Sequence, residues 1–152
     1  MQYAAHIHRE GKYLLAEFPD CPGCQTFETT DKALRAAAQE ALEGWLEAHL
    51  VDGQVPPRPK DRRRVPKGAK LWWVPIDPEL SVALQIRWSR HDAGLSQAEL
   101  ARRAGVSQQQ IAKLEQPGEN PTIGTLQRIA RALETCLDVQ LGTPGERRQN
   151  GP

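Results

Sequence analysis

The spacing of apolar residues changes along the chain from a two-residue to a three-to-four-residue rhythm, and the changes outline its elements. Tyr3, Ala5 and Ile7 alternate with Ala4, His6 and His8, the period of a strand. Arg9-Glu10-Gly11-Lys12 can turn the chain, and Tyr13-Leu14-Leu15-Ala16-Glu17-Phe18 reads as a second strand, so the two form a hairpin with Gly11 at its tip. Pro19-Asp20-Cys21-Pro22-Gly23 must be a loop, because two prolines and a glycine do not fit a ladder. Gln25 to Thr29 is a short third strand. Thr30 then offers a helix N-cap with Asp31 in the first turn. Beyond it Leu34, Ala37, Ala38, Ala41, Leu42, Trp45 and Leu46 make one apolar stripe on a helix of about five turns. That stripe needs a sheet to cover it, and the hairpin supplies one.

Val55 to Gly68 holds four prolines and six Lys/Arg, so it is expected to be an extended linker or arm rather than core. Leu71-Trp72-Trp73-Val74-Pro75-Ile76 is a strand signal and is assigned as the last strand of a first domain, residues 1–76. Asp77-Pro78-Glu79 combines a capping Asp, a proline at the first helical position and an early acid, which starts a helix running to about Asp92. Four short helical segments follow to Leu141, making residues 77–141 an all-α, five-helix domain. Residues 142–152 read as a frayed Gly/Pro/polar tail. The fold class is therefore α+β: a sheet with one long helix, then helices alone.

Charge sharpens this division. The formal net charge is only +1, but residues 1–54 carry four Lys/Arg against nine Asp/Glu, a net of −5. Residues 55–80 carry seven against three, and residues 81–152 nine against seven. Two modules with different partners are expected, and only the second has the sign suited to phosphates. No apolar run approaches the roughly 18 residues of a membrane span, and Met1 to Ile7 lacks a secretory pattern, so a cytoplasmic protein with reduced cysteines is expected. Cys136, in an apolar helical pattern, is expected in the core.

The strongest motif lies in the second module. Ser96-Gln97-Ala98-Glu99 is a capping box opening a helix to Ala104. Gly105-Val106 is a turn, and Ser107 caps the next helix, Gln108 to Glu115. Leu100, Ala101, Val106, Ile111 and Leu114 supply the contacts that hold the two helices at a fixed angle, the arrangement that puts a second helix in the DNA major groove. Gln108, Gln109 and Gln110 start that helix, and glutamine can bond adenine N6/N7 bidentately. Lys113 lies one turn on. Gln97 can reach a phosphate through its amide.

The residues Leu95 to Ala101, Gly105-Val106-Ser107, Ile111, Leu114-Glu115, Pro121-Thr122, Leu126, Ile129-Ala130 and Leu133 closely resemble the Xre/Cro/C1 repressor family. That resemblance covers some 60 residues and implies a lambda-repressor-like five-helix helix-turn-helix domain that binds operator DNA as a dimer. Gln97, Ser107, Gln108, Gln109, Gln110 and Lys113 are its expected DNA-binding residues.

The first module resembles HicB, the antitoxin of the HicA–HicB toxin–antitoxin pair, through Tyr13, Phe18-Pro19-Asp20, Pro22-Gly23-Cys24, Thr26, Thr30, Ala33, Ala37, Ala41-Leu42 and Pro56-Pro57. Glu28 departs from that pattern, where the family often has Gly. The resemblance implies a degraded RNase H-like fold, no catalysis, no cofactor, a HicA-type mRNA-cleaving toxin as protein partner, and repression of the antitoxin's own operon. A helix-turn-helix repressor with a small-molecule-sensing first domain is the alternative, with a pocket among Trp72, Trp73 and Tyr13.

Other chemistry fits these residues less well. Nuclease action needs carboxylates converging on Mg²⁺, and Glu17, Asp20, Glu28 and Asp31 have no setting that forces convergence. Cys21 and Cys24 with His6 and His8 could make a Cys₂His₂ zinc site, but a lone CxxC is a weak signal and no metal is expected. A thioredoxin-like redox role does not suit a CxxC in a loop between strands. Arg58 to Lys70 has two open readings, a basic arm on DNA or a solvated linker. One of Trp72 and Trp73 must face away from its own core, because neighbours on a strand alternate.

Overall fold

The computed structural model describes residues 1–60 and 64–139. Its first half is a four-stranded antiparallel sheet with spatial order β3-β2-β1-β4, built from β1 (Gln2–Glu10), β2 (Tyr13–Glu17), β3 (Gln25–Glu28) and β4 (Lys70–Pro75). The expected hairpin forms, with Glu10 opposite Tyr13 and Gly11 at φ +59° in the turn. The chain enters α1 (Asp31–Val51) through Thr30, whose hydroxyl accepts the Ala33 amide. The α1 stripe Leu34, Ala38, Leu42, Leu46 and Leu50 is fully buried against the sheet residues Tyr3, Ala5, Ile7, Leu14 and Ala16.

Between α1 and β4 the chain does not run as a free linker. Pro56 is fully buried, its carbonyl accepts Trp88 Nε1 at 2.7 Å, and the Pro57 carbonyl accepts the Tyr3 hydroxyl at 2.8 Å. The Lys60 amide donates to Asp20 Oδ2, and Arg58 pairs with Asp92 while lying over the Trp88 ring. Prolines that cannot join a ladder instead lie flat as a strap, and their carbonyls satisfy two buried aromatic donors. Residues 61–63 of the expected basic arm lie outside the described residues.

α2 (Pro78–Asp92) starts at Asp77, whose carboxylate accepts the Glu79 amide at 2.7 Å. This helix belongs to two cores. Leu80, Ala83, Leu84 and Trp88 close the sheet core, while Ile86 and the flanking Val82 pack with Leu100, Ala101, Ile111, Leu114 and Ile129 in a second core. At about 100° per residue, positions two apart point to opposite sides, so one short helix serves both. The second core is completed by α3 (Gln97–Ala104), α4 (Gln108–Leu114) and α5 (Ile123–Ala132).

The expected fifth helix of this half is absent from the described residues, which hold four helices from Pro78 onward. Glu134 takes φ +55°, and the Thr135 amide bonds back to the Ala130 carbonyl, which ends α5. Cys136 is accordingly exposed rather than in the core. Residues 140–152, including the expected frayed tail, lie outside the described residues. Among the described residues no helix is long and apolar enough to cross a membrane.

Candidate nucleic-acid interface

α3 and α4 form the expected pair. Ser96 and Glu99 make the reciprocal capping box, with the Ser96 amide and hydroxyl both donating to Glu99 Oε2. Those bonds, the backbone one first, hold the Glu99 carboxyl below its usual range. α3 stops at Gly105, whose φ of +66° is left-handed and favours glycine. Ser107 then caps α4, its hydroxyl accepting the Gln110 amide at 3.1 Å. Ile111 and Leu114 face inward on α4.

The opposite side of α4 carries the expected reading residues. Gln108, Gln109 and Lys113 are exposed, as is Ser107, and Gln110 is half-buried. Four polar side chains thus stand together on the outside of a short helix fixed by two buried anchors. Gln97 is placed differently from a free phosphate ligand. Its Nε2 donates to Glu115 Oε2 at 3.0 Å, so its amide N–H is turned inward.

Glu115 is the centre of a buried cluster that sequence patterning did not reveal. Its carboxylate is fully buried and accepts Arg90 Nε at 2.5 Å and Arg90 Nη2 at 2.9 Å, a bidentate fork. Arg87 lies 3.4 Å from the same carboxylate through Nε, within ion-pair range but without hydrogen-bond alignment. Arg87 spends its other donors on carbonyls: Nη1 on Leu50 and Gln54, Nη2 on Glu115. Burial lowers the Arg87 pKa, opposed by Glu115, whereas the hydrogen bonds that Arg90 donates to Glu115 raise its own. The cluster ties the end of α4 both to α2 and to the last carbonyls of α1. Charged residues leave no mark in an apolar period, so the only available signal was an unexplained arginine, Arg87, on the inward side of α2.

The remaining sequence candidates are not brought together. Cys21 and Cys24 are buried in the sheet core, where Phe18 and Cys24 close their loop by a 3.1 Å backbone bond. Burial pushes the Cys21 thiol up to about 12 and the Cys24 thiol up to about 11. His6 and His8 lie on the other face of the sheet, so the four do not converge. Among the described residues no group of three or more His, Cys, Asp or Glu is arranged to hold a metal. Of the carboxylates, Glu17 lies on that outer face while Asp20 is buried against Lys60. Trp72 packs on the core beneath Arg35, and Trp73 faces outward opposite Ala4, so no pocket forms among Trp72, Trp73 and Tyr13.

Known proteins share this helical half. The helix-turn-helix family model matches residues 86–138. A HTH-type transcriptional regulator, y4dJ of Sinorhizobium fredii, is 44% identical over 55 residues, which are 36% of this chain and 70% of that protein. The chain belongs to the helix-turn-helix family of transcriptional regulators. A HTH-type transcriptional regulator of Methanothermobacter thermautotrophicus is 48% identical over 48 residues, 32% of this chain and 70% of that one. Antitoxin HigA1 of Mycobacterium tuberculosis is 42% identical over 55 residues, which are 36% of this chain and 37% of HigA1. A chain of a solved HicA3 and HicB3 toxin–antitoxin complex is 30% identical, covers 51% of this chain and 100% of its own length, and superposes with a TM-score of 0.46, too low to bear on the fold. Membership of the helix-turn-helix family implies DNA binding, and α3 and α4 both lie within the matched residues.

Proposed function

We propose that this helix-turn-helix protein is an antitoxin that doubles as a repressor. It binds operator DNA as a dimer through α4, and it neutralises a HicA-type mRNA-cleaving toxin through its sheet module. The observation that carries the reading is the joining of two unlike surfaces on one chain: the acidic first part of the sheet module, net −5 over residues 1–54, and a polar reading helix tipped by Gln108 and Gln109. An RNA-cleaving enzyme must attract a polyanion, so an acidic surface that covers it gains electrostatic steering. The HicB-like residue pattern of the sheet module and the antitoxin HigA1, similar in the helical half, support the same reading.

On this reading the sheet with its long α1 is a degraded RNase H-like module that has kept its scaffold and performs no catalysis. The protein works in the cytoplasm and needs no cofactor. Gln108, Gln109 and Gln110 read base edges, while Ser107 and Lys113 contact phosphates. Gln97 acts by holding Glu115 beneath α4 and touches DNA only if it releases that bond. In a dimer the two α4 helices sit about one DNA turn apart, which demands a palindromic operator.

The test has two arms. Full-length protein is titrated onto DNA from upstream of its own gene, and it is co-expressed with the small protein encoded beside it. A retarded palindromic fragment and a co-purifying complex that no longer cleaves RNA are expected. DNA binding without any complex would leave a repressor and remove the antitoxin half.

A further inference from the structure

α1 and α2 bury the side of the sheet that carries Tyr3, Ala5 and Ile7. On the other side Ala4 and His6 near the centre are buried, while the corner at Tyr13 and Phe27 is open to solvent. An antiparallel sheet with one wet side is expected to place polar residues there. Here Leu15 stands directly across from Phe27, and the Tyr13 and Phe27 rings meet edge-on at 5.3 Å. Phe27 is 60% exposed and Tyr13 39%. Together with Leu15 and Glu10 they line an open groove of about 280 Å³. At the diagonally opposite corner Leu71 lies across from His6, and Trp73 across from Ala4. Between the two corners lies His6, which is only 9% exposed, so the Tyr13–Phe27 corner is the accessible one.

The fixed charges that its strands contribute are of one sign. Register puts Glu10 and Glu17 on this face, with His6 opposite Glu17 and His8 near Glu10. No Lys or Arg from any strand points to it, and Lys12 at the hairpin tip is folded over the Tyr13 ring. An aromatic groove edged by Glu10 and Glu17, with Lys12 over one of its rings, complements a protein that offers an apolar side chain beside Lys or Arg.

We infer that this face of the sheet, centred on the Tyr13–Leu15–Phe27 groove and edged by Glu10 and Glu17, is where a basic, RNA-binding protein partner docks. The inference rests on the antitoxin reading and gives it a place on the molecule. It competes with the other acidic surface of the module, the exposed side of α1 that carries Glu40 and Glu47. That helix face offers charge without an aromatic anchor, and rim charges set association rates more than affinity.

Three variants of the full chain separate the possibilities: Phe27→Arg and Glu17→Lys on the sheet face, and Glu47→Lys on α1. All three sites are exposed, and circular dichroism checks that each variant is folded. Each is titrated with the purified small protein encoded beside the gene, and each is weighed alone by light scattering. The expected result is that wild type binds, Phe27→Arg weakens binding about 10-fold or more, Glu17→Lys weakens it less, and Glu47→Lys leaves it nearly unchanged. Loss through Glu47→Lys with Phe27→Arg intact would overturn the inference and move the partner to α1, leaving the antitoxin reading in place. A Phe27→Arg variant that becomes smaller on its own would overturn it in favour of a second copy on this face. Absence of any wild-type complex would remove the antitoxin reading and this inference with it.

Discussion

Gln109 stands exposed at the start of the seven-residue α4, held there by Ile111 and Leu114 behind it. Truncating a side chain that reads a base edge differs from removing one that meets a phosphate. Gln109→Ala is expected to cost about 1–3 kcal/mol on the operator and to relax preference at one base pair. Lys113→Ala should weaken every sequence alike and lower the slope of log affinity against log salt by about 1. Anisotropy titrations over a salt series measure both, and equal affinity of Gln109→Ala on operator and mutated sites would take that residue off the reading surface. The cysteines make a second contrast. Cys136 is exposed, whereas Cys21 and Cys24 are buried with thiols pushed up from 9.0 to about 12 and about 11. Ellman's reagent at about pH 8 should therefore label one thiol in the native protein and three after unfolding. The folded-state values are raised, so the stability they contribute is complete below the unfolded value of 9.0 and is lost as pH climbs through about 11 to about 12. Melting temperatures that fall across that alkaline window, and less steeply in a Cys21→Ala variant, would bear this out.

Among the elements, α2 has the most to reconcile, and Arg87 is where its two duties meet. Arg87→Met removes a buried cation from Glu115 and takes one donor each from the Leu50 and Gln54 carbonyls. Breaking one side of a buried pair costs about 3–5 kcal/mol. Arg90 remains bidentate on Glu115, so the lower part of that range is expected. Arg58→Ala, which breaks an exposed pair with Asp92, should cost about 1 kcal/mol or less. Urea unfolding of both variants is the measurement, and equal destabilisation would contradict the assignment of Arg87 as the link. The elements themselves were legible in advance where a period or a cap marks them. The hairpin about Gly11, the Thr30-capped α1 and the Ser96 capping box all stand where alternation, stripe and cap residues put them. Polar residues with distant partners carry no such mark. Arg87 reaches a carbonyl 37 positions away, and Pro56 is buried because Trp88 needs its carbonyl, so neither the cluster nor the strap could be read from local spacing. Cys136 misled for the same reason, since its apolar neighbourhood continued the α5 pattern past the left-handed Glu134 that ends the helix.

At the scale of the whole molecule, two modules drawn from the sequence as neighbours share a helix and a charge cluster. Leu80, Leu84 and Trp88 sit in one core while Ile86 sits in the other, and Gln116, just past α4, reaches the Leu50 carbonyl at 3.4 Å. A helix cannot unfold on one side only, so loss of the sheet core must also strip α2 from the reading domain. The two halves should therefore unfold in one cooperative transition. The four tryptophans make this testable, because Trp45, Trp72 and Trp88 pack in or against the sheet core and Trp73 lies on the sheet. Their fluorescence reports the sheet module, while far-UV circular dichroism is dominated by helices, three of which build the reading half. Coincident urea midpoints by the two probes are expected. Midpoints that separate would mean that α2 detaches from one core before the other, and a partner on the sheet face would then have no rigid path by which to change how α4 meets DNA. If the midpoints coincide in wild type and separate in Arg87→Met, the coupling passes through that arginine, and the same variant should bind operator DNA with an affinity that no longer responds to the partner.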